Sequence, residues 1–298
     1  MNSGIEQKNT IERGVKASLT GILINVTLAM IKGTAGVVGN SYALVADAVE
    51  STLDIFSSVA VLGGIKIAAI PPDENHPYGH GKAEPLAAMV VAFVLMSVAI
   101  VLAIGSLAEI VSGLHRAPAA FTLYVLILVV LVKEVLFRWI VRIGNDTGSS
   151  ALQADAVHHR SDAITSLTAF IGISIAIIGG KGYESADNWA ALFAAGIIFY
   201  NAYRLLRPAL DEIMDASPSS DMEISVRTVA RTVDGVIGLD KCFIRKMGYS
   251  YYVDLHVVVD GNVSVRRGHE IAHIVKDNIK EKIPAIVDVI IHVEPARE

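Results

Sequence analysis

Two pairs of metal-ligating side chains occur at a four-residue step within otherwise apolar sequence. Glu50 and Asp54 form one pair, and His158 and Asp162 form the other. A four-residue step returns to the same face of a helix, so each pair presents two ligands side by side. If the two faces meet, three carboxylates and one imidazole form a four-ligand cage suited to a divalent transition metal. The alternative, polar groups at a membrane surface, fits poorly with the apolar sequence on both sides of each pair.

Other candidate ligands lie in a loop and near the C terminus. Asp73, His76 and His80 form a D-x2-H-x3-H cluster, and two imidazoles with a carboxylate are a ligand set that zinc accepts. The spacing alone equally allows a polar loop with two incidental histidines. The candidate ligands near the C terminus are His256, His269, His273, His292 and Glu294.

Several enzymatic functions are not expected. Residues 269–273 spell the H-E-x-x-H pattern of zinc proteases, but they lie in a charged stretch without an evident substrate cleft. The sequence contains no P-loop pattern, G-x-x-x-x-G-K-[ST], which argues against ATP hydrolysis. Cys242 is the single cysteine, so the chain cannot form a thiolate-rich metal site. No catalytic residue and no catalytic cofactor is therefore predicted.

The distribution of charge indicates which elements position these residues. The chain is 53% apolar and 18% charged, with a mean hydropathy of +0.51. Its net charge of −5 argues against nucleic-acid binding, which needs an excess of Lys and Arg. Residues 1–208 carry 29 charged side chains, whereas the shorter segment 209–298 carries 26. This shift predicts a membrane domain over 1–208 and a soluble domain over 209–298.

Six apolar stretches in the first domain are long enough to cross a bilayer, which takes about 20 helical residues. They cover approximately residues 17–38, 43–70, 84–113, 119–143, 151–179 and 189–207. Lys and Arg are concentrated in the ends and loops on one side of this arrangement, so the positive-inside rule places both termini in the cytoplasm.

The last 90 residues alternate between two kinds of pattern. Helical spacing at 219–233 and 265–282 and strand patterns at 241–247, 251–260 and 286–293 predict a small α+β domain with the order αββαβ.

Together these segments resemble the cation diffusion facilitator family of divalent-metal/proton antiporters. SYALVADAVESTLD is similar to the second-helix signature of that family, ALQADAVHHRSD to its fifth-helix signature, and HPYGHGKAE to its loop. The resemblance implies a six-helix transmembrane bundle followed by a cytoplasmic, metallochaperone-like domain. It also implies a homodimer in a bacterial inner membrane that exports divalent cations in exchange for protons by alternating access.

The resemblance also assigns roles to residues. It places the transport site on Glu50, Asp54, His158 and Asp162, and a loop site on Asp73, His76 and His80. It places a C-terminal metal site on Asp240, His256, His269, His292 and Glu294. Lys82 and Asp215 match positions that form a charge pair in similar proteins, the alternative being an ordinary cytoplasmic lysine and a solvated aspartate.

The metal is expected to be both substrate and regulator. Zinc is the first expectation, although zinc-transporting members usually have His or Asp at the position of Glu50. A longer carboxylate there also admits manganese, iron, cobalt or cadmium. The alternative function is a membrane-anchored metal sensor without transport, which would not need the ligand pairs on the second and fifth helices to face each other.

Overall fold

The computed structural model of the chain describes residues 2–112, 117–147, 150–180, 182–248 and 250–296. Its first six helices are α1 (Asn2–Val38), α2 (Tyr42–Ala68), α3 (Ala83–Ser112), α4 (Phe121–Thr147), α5 (Ser150–Gly179) and α6 (Ala186–Ile213). Five of these described helices, all except α4, contain a stretch long and apolar enough to cross a membrane. In α4 the apolar sequence is interrupted by Lys133, Glu134 and Arg138. The count of six spans therefore stays a prediction, although six long helices are present.

The residues after α6 fold into the predicted α+β domain. Its elements are α7 (Ser220–Arg231), β1 (Gly238–Met247), β2 (Ser250–Val259), α8 (Val265–Lys282) and β3 (Ile286–Pro295). The sheet has the order β1-β2-β3, with β1 antiparallel and β3 parallel to β2. A helical membrane region followed by an αββαβ domain confirms the predicted fold class.

The core of the αββαβ domain lies between its helices and one face of its sheet. Ile271, Val275 and Ile279 of α8 are buried at four-residue steps, and Leu255 is buried on β2. Successive residues of a strand point to opposite faces, so the inward position of Leu255 directs His256 to the outer face. The same alternation that builds the core therefore places His256, a candidate ligand, on the outer face of the sheet.

The chain forms two compact units. The first comprises residues 1–59 and 91–203, and the second comprises residues 60–90 and 204–298. The second unit therefore combines the loop between α2 and α3 with the C-terminal domain. The loop cluster of candidate ligands belongs to this second unit, whereas the α2 and α5 pairs belong to the first.

A carboxylate from α6 fixes the start of α2 within the first unit. The Oγ of Ser41 accepts a hydrogen bond from the amide of Leu44 at 3.1 Å and donates one to Asp187 at 2.7 Å. Asp187 also accepts a hydrogen bond from the amide of Tyr42 at 2.6 Å. The first amides of a helix lack partners within the helix and are stabilised by a negative charge. Asp187 thereby joins α6 to the N-terminus of the helix that carries Glu50 and Asp54.

Small residues let the helices of the first unit approach closely. A Cβ added at Gly36 of α1 would lie 2.8 Å from the Cγ2 of Val45 on α2, and one added at Gly172 of α5 would collide with Ala190 of α6. Close backbone approach at small residues is typical of helix packing in membranes. The helices that flank the predicted transport site are therefore packed through glycine contacts.

Candidate metal centres

Three of the four predicted transport-site residues lie near one another in the first unit. Glu50 of α2 interacts electrostatically with Asp54 on the same helix and with Asp162 on α5. Asp162 is buried, and Glu50 and Asp54 are half-buried. His158 lies on α5, but its side chain is outside the described part of the structure. The α2 and α5 carboxylates can thus contribute to one site, while the complete four-ligand cage stays a prediction.

A lysine from α4 is paired with the α5 carboxylate. Lys133 Nζ donates a hydrogen bond to Asp162 Oδ2 at 2.6 Å and another to Asn25 Oδ1 of α1 at 2.7 Å. Only 1% of the Lys133 side chain is exposed. Hydrogen bonds between charged groups are stronger than neutral ones. One of the predicted metal ligands is therefore also the counter-ion of a buried ammonium group.

A second buried lysine joins α1, α2 and α5. Lys32 Nζ lies 2.9 Å from Asp47 Oδ1 and donates to Ser51 Oγ at 2.6 Å. Ser166 of α5 donates its hydroxyl hydrogen to the Asp47 carboxylate, with distances of 2.8 and 3.0 Å to its two oxygens. These contacts make Asp47 a cross-link between helices beside the predicted site.

Neither buried lysine was among the residues predicted from the sequence. A signal was available, because an ionisable residue inside an apolar span is costly and tends to be retained for function. Lys32 follows six residues with a single polar side chain, Thr27, and Lys133 follows ten apolar ones. The position of each lysine within an apolar stretch could therefore have identified both as candidate functional residues.

The predicted loop ligands converge in the second unit. Asp73 Oδ1 lies 3.1 Å from His76 Nδ1, and Asp73 Oδ2 lies 3.4 Å from His80 Nε2. One ligand atom from each of the three residues lies within 4.8 Å of the others. The backbone amide of His76 donates to Asp73 and lowers the pKa of that carboxyl. An ionised carboxylate and two imidazoles at this spacing fit a divalent metal.

Aromatic contacts hold this loop against the C-terminal sheet. Tyr78, which lies between the two loop histidines, packs edge-on against Tyr252 of β2 with ring centroids 5.8 Å apart. The Tyr252 hydroxyl donates to the Tyr78 carbonyl at 3.2 Å, and the Arg245 guanidinium lies 5.4 Å from the Tyr78 ring centroid. The position of the loop ligands therefore depends on two strands of the αββαβ domain.

A second cluster lies on the outer face of the sheet. His256 of β2 pairs in register with His292 of β3, and Glu294 is two residues further along β3. His256 Nδ1 lies 2.6 Å from Glu294 Oε1, and His292 Nε2 lies 3.8 Å from the same oxygen. The hydrogen bond with His256 lowers the pKa of the Glu294 carboxyl. This donor set also fits a divalent metal, with ligand atoms within 4.8 Å of one another.

Two predicted C-terminal ligands are not part of that three-residue cluster. Asp240 lies on the irregular stretch of β1 between Leu239 and Cys242, and its carbonyl accepts hydrogen bonds from Arg227 at 3.2 Å. His269 instead faces His273 on α8, with their Nε2 atoms 3.1 Å apart. Their participation in a C-terminal metal site stays a prediction.

Comparison with known proteins identifies the family of the chain. The family model for the cation efflux transmembrane domain matches residues 18–214. The model for the cytoplasmic domain of cation efflux proteins matches residues 218–296. The chain belongs to the cation diffusion facilitator family. It is accordingly an integral, multi-pass membrane protein and a cation efflux transporter of divalent metals rather than an enzyme, so the H-E-x-x-H run is not a protease site.

Similar proteins are known from bacteria and plants. The manganese efflux system protein MneP of Bacillus subtilis is 32% identical over 94% of this chain and 95% of its own length. Metal tolerance protein C1 of Arabidopsis thaliana is also 32% identical, over 96% of this chain and 63% of its own length. The magnetosome protein MamB of Magnetospirillum gryphiswaldense is 28% identical over 91% of both chains. Among solved structures, MamM-CTD H285A aligns with 26% of this chain and 96% of its own at 25% identity, with a TM-score of 0.26.

Proposed function

We propose that this cation diffusion facilitator exports manganese from the cytoplasm in exchange for protons. The observation that supports the proposal is the electrostatic interaction of Glu50 with Asp54 on α2 and with Asp162 on α5. Zinc, the first expectation from the sequence, becomes the competing substrate, with iron, cobalt and cadmium behind it. The predicted division into a membrane domain (1–208) and a cytoplasmic domain (209–298) is part of this proposal.

The chemistry of the donor set supports manganese. Three carboxylates and one imidazole are harder ligands than the histidine-rich sets that favour zinc, and carboxylate oxygens suit Mn²⁺. MneP, which is similar to this chain over nearly its whole length, is a manganese efflux protein by name. Both arguments favour an oxygen-preferring metal at the transport site.

Exchange with protons follows from competition for the same lone pairs. A carboxylate or imidazole must be deprotonated to bind a metal, so metal binding releases protons and protonation releases metal. Carboxylates that lie close together repel one another when ionised, which favours uptake of a proton when the metal leaves. Alternating exposure of the α2 and α5 ligands to the two sides of the membrane would convert this competition into antiport.

The test is metal uptake into proteoliposomes under an imposed pH gradient, with Mn²⁺, Zn²⁺ and Mg²⁺ compared. We expect Mn²⁺ uptake coupled to proton movement, and its loss in Asp54→Asn and Asp162→Asn. Asp234→Asn, which alters an exposed acid in the C-terminal domain, should transport normally. A protein that binds metal without any uptake would overturn the proposal and favour the membrane-anchored sensor. Preferential uptake of Zn²⁺ would instead show that zinc, the metal first expected from the sequence, is the substrate.

The loop and C-terminal clusters are proposed to regulate transport. Metal would be held by Asp73, His76 and His80 in the loop, and by His256, His292 and Glu294 in the domain, where it would tighten a homodimer. The protein would lie in a bacterial inner membrane. The distribution of Lys and Arg supports a cytoplasmic position of both termini. If His256→Ala together with His292→Ala changes neither dimer affinity nor the metal dependence of transport, this regulatory role is wrong.

A further inference from the structure

We propose that Lys133 is a built-in competitor of the transported metal, which weakens metal binding at the transport site and thereby permits release. The inference rests on the proposed transport site, because it concerns the carboxylate of Asp162. Lys133 Nζ lies 2.6 Å from Asp162 Oδ2 and is held in place by Asn25 Oδ1 at 2.7 Å. Nothing in the proposed transport chemistry requires this ammonium group, so its burial calls for a reason.

The geometry brings two cations to one carboxylate. A carboxylate oxygen that ligates a divalent transition metal lies about 2.0–2.2 Å from it. An ammonium group already in hydrogen-bond contact with the same carboxylate would lie within a few Å of that metal. Charges that close interact strongly in a buried site, where the effective dielectric constant is low. Binding a divalent ion at Asp162 therefore requires Lys133 to share the carboxylate at an electrostatic cost or to give it up.

The formal charge of the surrounding groups supports this role. Four carboxylates, Asp47, Glu50, Asp54 and Asp162, lie near one another with the two ammonium groups of Lys32 and Lys133. The formal charge of these six groups is −2, which one divalent cation cancels. Without Lys133 the same set would carry −3 and would hold a divalent cation more tightly. With Lys133 present, the formal charge of the six groups is therefore equal and opposite to that of the divalent substrate.

Competition and simple structural support make opposite predictions for affinity. If Lys133 only supports the fold, its removal disturbs Asp162 and metal binding becomes weaker. If Lys133 competes with the metal, its neutralisation makes binding tighter and release slower. A lower KM together with a lower kcat is the signature of a substrate that is bound too well.

The experiment uses the full-length protein in proteoliposomes and measures Mn²⁺ uptake and, separately, the equilibrium Kd in detergent of the Mn²⁺ site that is lost in Asp162→Asn. We expect Lys133→Met to lower the Kd and the KM about tenfold and to reduce kcat, as the loss of a nearby positive charge predicts. Lys133→Gln retains a hydrogen-bond donor without the charge and should behave in the same way. Lys133→Arg retains the charge, so its Kd for Mn²⁺ should not fall as it does in the two neutral variants.

A matched control lies on the same helix. Arg138→Met also removes a positive charge from α4, but Arg138 is exposed and pairs with Glu134, so the Kd for Mn²⁺ should not change. An unchanged or higher Kd in folded Lys133→Met and Lys133→Gln would overturn the inference. If instead the wild type takes up no divalent metal, or Asp162→Asn transports normally, the proposed transport site itself is wrong.

Discussion

Lys82 Nζ lies 2.5 Å from Asp215 Oδ1 and also donates to the carbonyl oxygens of Glu212 at 2.9 Å and Ile213 at 3.3 Å. These carbonyls belong to the last turn of α6, where backbone acceptors lack partners within the helix and a positive charge is favourable. One ammonium group therefore ties the segment after the loop cluster to the end of α6. This pair is the one that the family resemblance implied.

We expect Lys82→Gln to loosen this connection without unfolding the domain. Both partners are partly exposed, so the ion pair itself contributes only about 1 kcal/mol or less. The substitution should nevertheless loosen the segment after α6, because three oxygens share the Lys82 ammonium group as their donor. Limited proteolysis should cut residues 214–219 faster in Lys82→Gln than in the wild type. Lys66→Gln, which alters an exposed lysine of α2, is the control, and equal cleavage of the two variants would contradict the role of the pair.

The Lys32–Asp47 pair should respond much more strongly to substitution. Lys32 is fully buried and Asp47 nearly so, and removing one partner of a buried ion pair costs about 3–5 kcal/mol because the other charge is left uncompensated. We expect Lys32→Met to lower the melting temperature of the detergent-solubilised protein markedly. The double variant Lys32→Met/Asp47→Asn should recover part of the loss. A double variant as unstable as the single one would show that burial of the Asp47 charge is not the cause.

Helices and strands could be predicted from the sequence, whereas the side-chain contacts between distant helices of the first unit could not, for a physical reason. Periodicity within one segment places Ile271, Val275 and Ile279 on one helix face, and strand alternation directs His256 outward, so the αββαβ domain could be predicted. Contacts between distant helices leave no local pattern. The pairing of Lys133 with Asp162 depends on how α4 and α5 pack, and the capping of α2 by Asp187 depends on α6.

The C-terminal core should be sensitive to cavities at the centre of the sheet. Leu255 is fully buried on β2, and Leu→Ala substitutions at such sites cost about 2–5 kcal/mol. We expect Leu255→Ala to destabilise the fragment 209–298 by this amount in urea unfolding monitored by circular dichroism. Val265→Ala is the control, because Val265 is 93% exposed and should change stability by less than about 0.5 kcal/mol. A similar loss in both variants would contradict this assignment of the core.

The lowered pKa of Glu294 gives a prediction with a definite sign. His256 donates to the carboxylate and stabilises its ionised form, so this contact stabilises the fold above the ordinary Glu pKa of 4.5 and is lost as the pH falls through the lower folded value. In NMR titrations of the metal-free fragment 209–298, we expect Glu294 to titrate below 4.5 and His256→Ala to move its pKa upward. An unchanged pKa in His256→Ala would contradict the hydrogen bond as the cause.

The loop cluster should bind one metal ion, with an affinity that depends on the position of Tyr78. His80→Ala removes a ligand, and we expect the number of Zn²⁺ ions bound by the full-length protein in calorimetry to fall by one. Tyr78→Ala keeps all three ligands but removes the contacts with Tyr252 and Arg245, so the loop affinity should fall about tenfold as ligand convergence is lost. Tyr78→Phe retains the ring and is the matched control. Equal affinity in Tyr78→Ala and Tyr78→Phe would show that the loop holds its ligands without help from the sheet.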